Sequence, residues 1–493
     1  MLFNSFVFLF AFLPITYIVF WLLRSAGPRY VWLTITGYVF YGYWNPWFCL
    51  LMLFSTLVSY LAGLGFLRWS SLAARRACLI IPITVDLLLL GFFKYANFLT
   101  ETAGGMVEFL GWSWQPPRLD IILPVGISFY TFHTISYIVD AYRGTIKPTR
   151  NFFEFAAYVS LFSQLVAGPI VRFRQIEEDL ENLGHADRTR WMSIGASFFM
   201  FGMVEKVLVA DSLAFYVDHW LRHYDTLSTL GAWMAMLGYT FQLYFDFSGY
   251  STMAVGLGYL FGLRIPINFN SPYKSLDPSD FWQRWHISLS TCLRDYVYIP
   301  LGGNRYGTFN TYRNLLLTML IGGLWHGANW VFIVWGAYHG ALLCLHRLFG
   351  RWWDALPAIL RQLGFFLLVV IGWVFFRAGS VTHESIGSAD APTSADSWAM
   401  AWSLLERMFI LTEGTLGQRP YLFGAFLVLA AWWSMAGPNV YDVHRDSPDR
   451  KLSELHLGFR WTLRHTVANA LAFGMCLAIL AGGRDSPFLY FQF

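Results

Sequence analysis

The sequence predicts an all-α polytopic integral membrane protein, and three observations carry that reading. Of 493 residues, 56% are hydrophobic and only 13% charged, against about 25% charged in an ordinary soluble domain. Apolar stretches of about twenty residues, the length a spanning helix needs, recur along the chain. The basic residues sit in short loops between them, so the net charge of +4 gives no basic patch and nucleic-acid binding has no support. The 23 Trp and 46 Phe supply apolar helix faces and interfacial aromatic belts.

In chain order, the first apolar run, 3–23, lacks a basic leader and a small-residue cleavage site, and reads as a retained helix. Further spans are expected near 30–46, 48–67, 77–98, 121–141, 152–171, 191–215, 230–262, 314–348, 357–377, 420–437 and 464–482. That gives roughly ten to thirteen membrane segments, several interrupted by Gly or Pro and not all full crossings. Lys and Arg near helix ends stay cytoplasmic, which places Arg24, Arg29, Arg68, Arg75, Arg76, Arg143, Lys147 and Arg150 on that side. The Trp44-Asn45-Pro46 turn and the stretch 100–120, with Glu101, Glu108 and Asp120 against Arg118, fall opposite, so the N-terminus is non-cytoplasmic. Beyond Arg172 the charges are mixed and no longer fix sidedness. Two polar stretches, 379–398 and 438–463, read as loops too short for a folded soluble domain. The whole of 1–493 is therefore expected to form a single membrane domain.

The segment 264–313 breaks the hydrophobic pattern, with six basic and three acidic residues among dense aromatics, and must lie at an interface or line a cavity. Asp277 before Pro278, with Asp280 at the third helical position, marks a helix start. The helix is expected to run on through Tyr296. Phe281, Trp285, Leu289, Cys292 and Tyr296 would form its apolar stripe, and Arg284, Ser288, Thr291 and Asp295 a polar one. His286 falls at their border, where spacing alone favours a half-buried surface histidine over a reactive one.

The most informative motif is Gly323-Leu324-Trp325-His326-Gly327, an imidazole in an apolar run. An ionisable group at membrane depth is a functional-site hypothesis by default, against the plainer reading of a neutral histidine bonded between helices. Gly336-Ala337-Tyr338-His339-Gly340 echoes it, and such glycines allow helix backbones to approach closely. On an unbroken helix His339 would point more than half a circle from His326, while His339 and His346 would share a face. The three would then form no common metal site, and no carboxylate in the run completes a ligand set. The five cysteines stand singly, which indicates neither a disulfide framework nor a zinc site.

An imidazole kept neutral by an apolar cavity suits general-base work on a hydroxyl, as in acyl transfer. His326 is the candidate base and His286 its assistant; Arg284 and Arg294 are candidates to hold phosphates or an oxyanion. Trp282, Trp285 and Trp325 would exclude water from an activated thioester. No nucleophile elbow and no Gly-rich phosphate loop is present.

Four motifs in order resemble one family: Tyr244-Phe245-Asp246-Phe247-Ser248-Gly249-Tyr250-Ser251, Phe281-Trp282-Gln283-Arg284-Trp285-His286-Ile287-Ser288-Leu289-Ser290, Leu293-Arg294-Asp295-Tyr296 and Gly323-Leu324-Trp325-His326-Gly327-Ala328. Together with Phe93-Lys94-Tyr95-Ala96-Asn97-Phe98, Leu123-Pro124-Val125-Gly126, Ala167-Gly168-Pro169 and Leu301-Gly302-Gly303-Asn304-Arg305, they make the chain similar over nearly its whole length to the membrane-bound O-acyltransferases. It is most similar to the bacterial branch that serves alginate O-acetylation. The resemblance implies a ring of transmembrane and re-entrant helices around a central channel, with His326 matching the family's catalytic histidine and His286 its second motif histidine. It implies no bound cofactor or metal, and acetyl-CoA or another acyl thioester as donor. It implies membrane lipid surroundings in a bacterial inner membrane, a periplasmic acetyl-accepting or acetyltransferase partner, and an exopolysaccharide as final acceptor. Supporting roles would fall to Asp246, Tyr250, Trp282, Arg284, Trp285, Arg294, Asp295 and Trp325. Alternatives left open are a D-alanyl transferase of the same family and a non-enzymatic polysaccharide or lipid transporter.

Cys292 stands where the family's Ser-Thr-Trp-Leu-Arg-Asp run has Trp, and reads as a small buried hydrophobe rather than an acyl carrier. Asp246, with Tyr250 one turn on, could orient a reacting group or lock helices, and the sequence does not separate the two. Asp86 and Lys94 read as a structural polar pair or as snorkelling groups.

Overall fold

The computed structural model describes residues 1–114, 119, 121–166, 168–185, 187–380, 393–444, 462–483 and 489. Arg118, Asp120, Ala167 and most of the two late polar stretches (381–392 and 445–461) lie outside them. The described residues form helices joined by turns and irregular segments, with no named strand. Six of their helices are long and apolar enough to cross a membrane, and two shorter apolar ones, Phe8–Leu22 and Pro420–Met435, accompany them. The protein is thus a multi-pass all-α membrane protein. By contacts it divides into two compact units, 1–196 with 254–266, and 197–253 with 267–493.

The first unit holds α1 (Phe8–Leu22), α2 (Ala26–Gly42), α3 (Phe48–Arg68), α4 (Leu72–Leu90), α5 (Ala96–Phe109), α6 (Ile127–Arg143), α7 (Phe152–Ser160) and α8 (Phe173–Glu181). The first span is shorter than expected because Ser5 turns the chain before it, bonding back to the Leu2 carbonyl and accepting from the Phe8 N–H. α4 runs through a π-helical turn, Gly91–Tyr95, into α5, so 100–109 is helix rather than the expected loop. The stop comes at Gly111, whose φ of 84° suits a residue without Cβ and whose N–H bonds the Glu108 carbonyl.

The expected span 152–171 is only half a helix. Asn151 caps α7, which stops at Ser160; Leu161 to Val166 and Ile170 follow in irregular but buried backbone. Such backbone is tolerated at membrane depth only inside protein, and side chains satisfy it here. The Gln164 amide donates to the Tyr158 carbonyl, and the Tyr158 hydroxyl to that of Val171. Asp86 is also satisfied from neighbouring helices, by the hydroxyls of Ser55 and Thr134 at 2.6 Å each, rather than by Lys94.

Chain entry to the second unit is through α9 (Arg188–Met203), a π-helical turn (Val204–Ala210) and α10 (Asp211–Leu221). α11 (Thr229–Leu260) packs against this run. There a Cβ on Gly202 would lie 2.5 Å from the Gly249 carbonyl oxygen, so only glycine permits the approach. α12 (Pro278–Arg284) and α13 (Ile287–Leu293) follow, then α14 (Gly307–His326), α15 (Trp330–Trp353) and α16 (Ala358–Gly379).

The expected span 314–348 is a hairpin of two helices. Gly327 is extended, and Asn329 starts α15 by accepting from the Val331 N–H. Gly323 and Gly336, the first glycines of the two echoed motifs, face each other: a Cβ on Gly323 would sit 3.2 Å from the Gly336 Cα. The close approach read from the glycines is therefore real, but between two helices rather than along one.

The polar stretch 379–398 is not all loop either. A capping box of Thr393 and Asp396 opens α17 (Ser394–Phe409), which buries Ser397, Met400, Ala401, Leu404 and Met408 at helical spacing. α18 (Pro420–Met435), α19 (Val440–His444) and α20 (Leu463–Ala481) complete the chain, so 438–463 likewise contains a short helix.

Candidate active site

The Asp277 cap forms as expected, its carboxylate accepting from the N–H groups of Ser279 and Asp280. The helix it starts does not continue. It ends at Arg284, and His286 adopts a left-handed conformation, φ 43° and ψ 54°, before α13 begins. A side chain in that region costs on the order of 1–2 kcal/mol, so the surroundings must impose it. They do so through the segment before α12: the Asn268 carbonyl accepts from the Ile287 N–H and the Asn270 N–H donates to the Arg284 carbonyl. The kink turns His286 fully inward, 0% exposed, and not to a half-buried helix border.

The His286 Nδ1 lies 3.0 Å from Asn268 Oδ1 and 3.5 Å from Ser288 Oγ. Its Nε2 is buried and has no hydrogen-bond partner among the described residues. Phe247 packs edge-on against the ring at 4.8 Å, and Trp325 at 5.9 Å.

Trp325 also meets the ring of His326, at 4.9 Å. His326 ends α14, is 4% exposed, and is flanked by Trp335 at 5.0 Å and Phe376 at 5.1 Å. The hairpin then adds a third imidazole. His339 touches the same Trp335 at 5.0 Å, stacks on Phe281 at 6.0 Å and meets Trp282 edge-on at 5.3 Å. It is fully buried, and neither ring nitrogen has a hydrogen-bond partner among the described residues. Trp285 packs on Trp373 at 4.8 Å, and Trp373 stacks on Trp335 at 5.8 Å. Three imidazoles thus occupy one aromatic enclosure, and the separation of His339 from His326 expected for a continuous helix does not hold. Among the described residues no group of three His, Cys, Asp or Glu side chains is placed to hold a metal ion.

The other candidates divide. Trp282, Trp285 and Trp325 line the enclosure as expected. Arg284 is engaged by Asp280 at 2.6 Å and by the Asn270 carbonyl, and Arg294 pairs with Asp295 at 2.7 Å while largely exposed. Neither arginine reaches a ring nitrogen of His286 or His339. Tyr250 and Cys292 are buried on α11 and α13. Asp246 forms a buried ion pair with Lys206, which also holds Asp211, and accepts from the Leu489 N–H. Lys206, Asn268 and His339 were not singled out for these roles by the sequence. The partners of the first two lie on distant segments, and the third was set apart by an assumed straight helix.

A model of the membrane-bound O-acyltransferase family matches residues 146–379. The probable alginate O-acetylase AlgI of Pseudomonas putida is 42% identical over the full length of both chains, and that of Pseudomonas aeruginosa 46%, also over both full lengths. A peptidoglycan O-acetyltransferase of Helicobacter pylori is 38% identical over 77% of each chain. With identity of this order running end to end through the segments that build the aromatic enclosure, the chain belongs to the membrane-bound O-acyltransferase family and is a membrane-bound O-acyltransferase.

Proposed function

We propose that this protein transfers acetyl from a thioester donor, such as acetyl-CoA supplied from the cytoplasm, toward O-acetylation of a secreted polysaccharide such as alginate. In this reading it works in the bacterial inner membrane with a periplasmic partner protein that receives or passes on the acetyl group. His326 is the principal base and His286 supports it. The hydroxyl oxygen attacks the thioester carbonyl while the imidazole takes the hydroxyl proton. The C–S bond then breaks, and the leaving thiolate recovers that proton, so the transfer is proton-neutral overall. The tryptophan walls keep water from competing for the acyl group.

The observation that carries the proposal is the enclosure itself: His326 and His286 both border Trp325 inside a buried aromatic shell. Support for acetyl as the group comes from the relatives, since those matched along the whole chain are named for O-acetylation. The test is the O-acetyl content and total amount of secreted polymer in a host lacking its own copy. It is complemented with wild type or His326→Ala at matched membrane levels. A general base contributes roughly 10²- to 10⁴-fold, so the variant should secrete normal amounts of polymer carrying almost no acetyl. Full acetylation with the variant would remove His326 from the chemistry, and loss of the polymer itself would point to transport instead.

A further inference from the structure

We infer that Asn268 is a positioning residue that sets the tautomer of His286, so that Nε2 carries the lone pair and faces the reaction. The inference rests on the proposed part of His286 in acetyl transfer and adds the residue that makes its ring usable.

The backbone decides which atom of the Asn268 amide faces His286. The Ser288 N–H lies 3.3 Å from Asn268 Oδ1, and a backbone N–H can only donate, so the facing atom of the Asn268 amide is its oxygen. The other end of the amide agrees, since Nδ2 donates to Ser251 Oγ at 3.1 Å. Ser288 Oγ also donates to the oxygen, at 2.8 Å. His286 Nδ1 approaches this acceptor at 3.0 Å, and two lone pairs will not face each other, so Nδ1 holds the proton. The lone pair is therefore on Nε2, which is buried and has no hydrogen-bond partner among the described residues. A neutral acceptor fixes the tautomer without favouring the charged ring, unlike a carboxylate, so the His286 ring stays neutral.

Asn268 acts twice on the same residue. Its main-chain carbonyl holds Ile287 and so the left-handed kink, while its side chain holds the ring. Only the second function concerns the tautomer, and substitution of the side chain leaves the first intact. The side chains that face His286 are Asn268 and Ser288 by hydrogen bond, and Phe247, Phe269 and Trp325 by ring contact. None of these titrates in the neutral range; His326 is reached across Trp325.

The test uses permeabilised cells of the polymer-producing host, complemented with the full chain and given radiolabelled acetyl-CoA. Initial rates of acetyl incorporation are measured from pH 5 to 9 at matched membrane levels. Asn268→Leu keeps the volume and removes the acceptor. Its kcat should fall about ten- to a hundredfold, with the KM for acetyl-CoA unchanged. Asn268→Asp keeps the acceptor but adds a charge that favours imidazolium. The acid limb of its pH–rate profile should move up by about 1–3 units, with activity regained at high pH. If both variants keep the wild-type profile, or lose rate equally with the profile unmoved, Asn268 only braces the fold and the inference is overturned. Should Asn268→Leu fail to accumulate, the Asn268→Asp profile decides alone. His286→Ala separates the two levels: full activity there removes His286 from the chemistry altogether. Loss there with unmoved Asn268 profiles overturns only the tautomer assignment.

Discussion

Two clusters in the second unit bury ionisable side chains among apolar helices, and they differ in what each nitrogen meets. Lys206 is 1% exposed and sits between two carboxylates, Asp246 and Asp211, with Glu205 beside it in the chain taking the hydroxyls of Ser248 and Thr252. In the histidine cluster the neighbours are aromatic faces, and His286 Nε2 and both nitrogens of His339 meet no hydrogen-bonding group among the described residues. Burial without a partner is costly for a polar group, and proteins that retain it do so where the group has work to do. The same sequence signal, a titratable residue in an apolar run, therefore has two outcomes. Saturated pairing locks helices, and an imidazole among aromatic faces keeps ring nitrogens unbonded, which is what the proposed function uses.

The comparison breaks most visibly at Lys206. Lys206→Met leaves Asp246 and Asp211 buried without their cation, and removal of one partner from a buried pair costs about 3–5 kcal/mol. The thermal midpoint of the detergent-solubilised protein should drop sharply. In Lys206→Met/Asp211→Asn/Asp246→Asn, where no bare charge remains, most of the loss should be recovered. Transfer activity should survive in that triple variant. Intact protein without activity would instead give Asp246 a part in the chemistry, the alternative its sequence context left open.

A smaller effect is expected where a glycine packs directly on a ring of the histidine cluster. A Cβ on Gly372 would lie 3.0 Å from His339 Nε2 and 3.1 Å from the Tyr338 ring. Gly372→Ala should cost about 1–3 kcal/mol by overpacking. Adding His339→Ala should relieve most of that cost in thermal unfolding. No relief would mean that Tyr338 takes the strain and that His339 is not held where its ring contacts place it.

These clusters also mark how far the residues alone could be read. Class and most spans follow from composition and period, because lipid requires long apolar helices. Asp277, Pro278 and Asp280 announced their helix because capping is local. Its end was hidden, since Phe281, Trp285 and Leu289 keep helical period straight across a break imposed from Asn268, eighteen residues earlier. Asn329 carried a cap signal of the same local kind, yet the apolar run around it outweighed that signal. The separation of His339 from His326 holds only for an unbroken helix, and the turn at Gly327 removes that condition. The two histidines that the family motifs single out, His286 and His326, both border Trp325, while Lys206 as the partner of Asp246 lies on another helix, beyond any spacing rule.

The finest test turns on the backbone of His286 itself. At φ 43° and ψ 54° a Cβ is a liability and glycine is free. Both His286→Gly and His286→Ala remove the imidazole and empty nearly the same volume, so the lost packing cancels when the two are compared. The remaining difference is the conformational penalty, which favours Gly by roughly 1 kcal/mol. This is the reverse of the order in a helix interior, where Gly is worse than Ala by about the same amount. Unfolding midpoints of the two variants at equal detergent concentration measure it directly. Ala more stable than Gly would mean that 286 lies within a continuous helix, returning His286 to the half-buried border that the periodicity suggests. Gly more stable than Ala would mean that the chain carries strain at the residue that presents Nε2. Histidine would then be retained at this kink for its ring and not for its backbone.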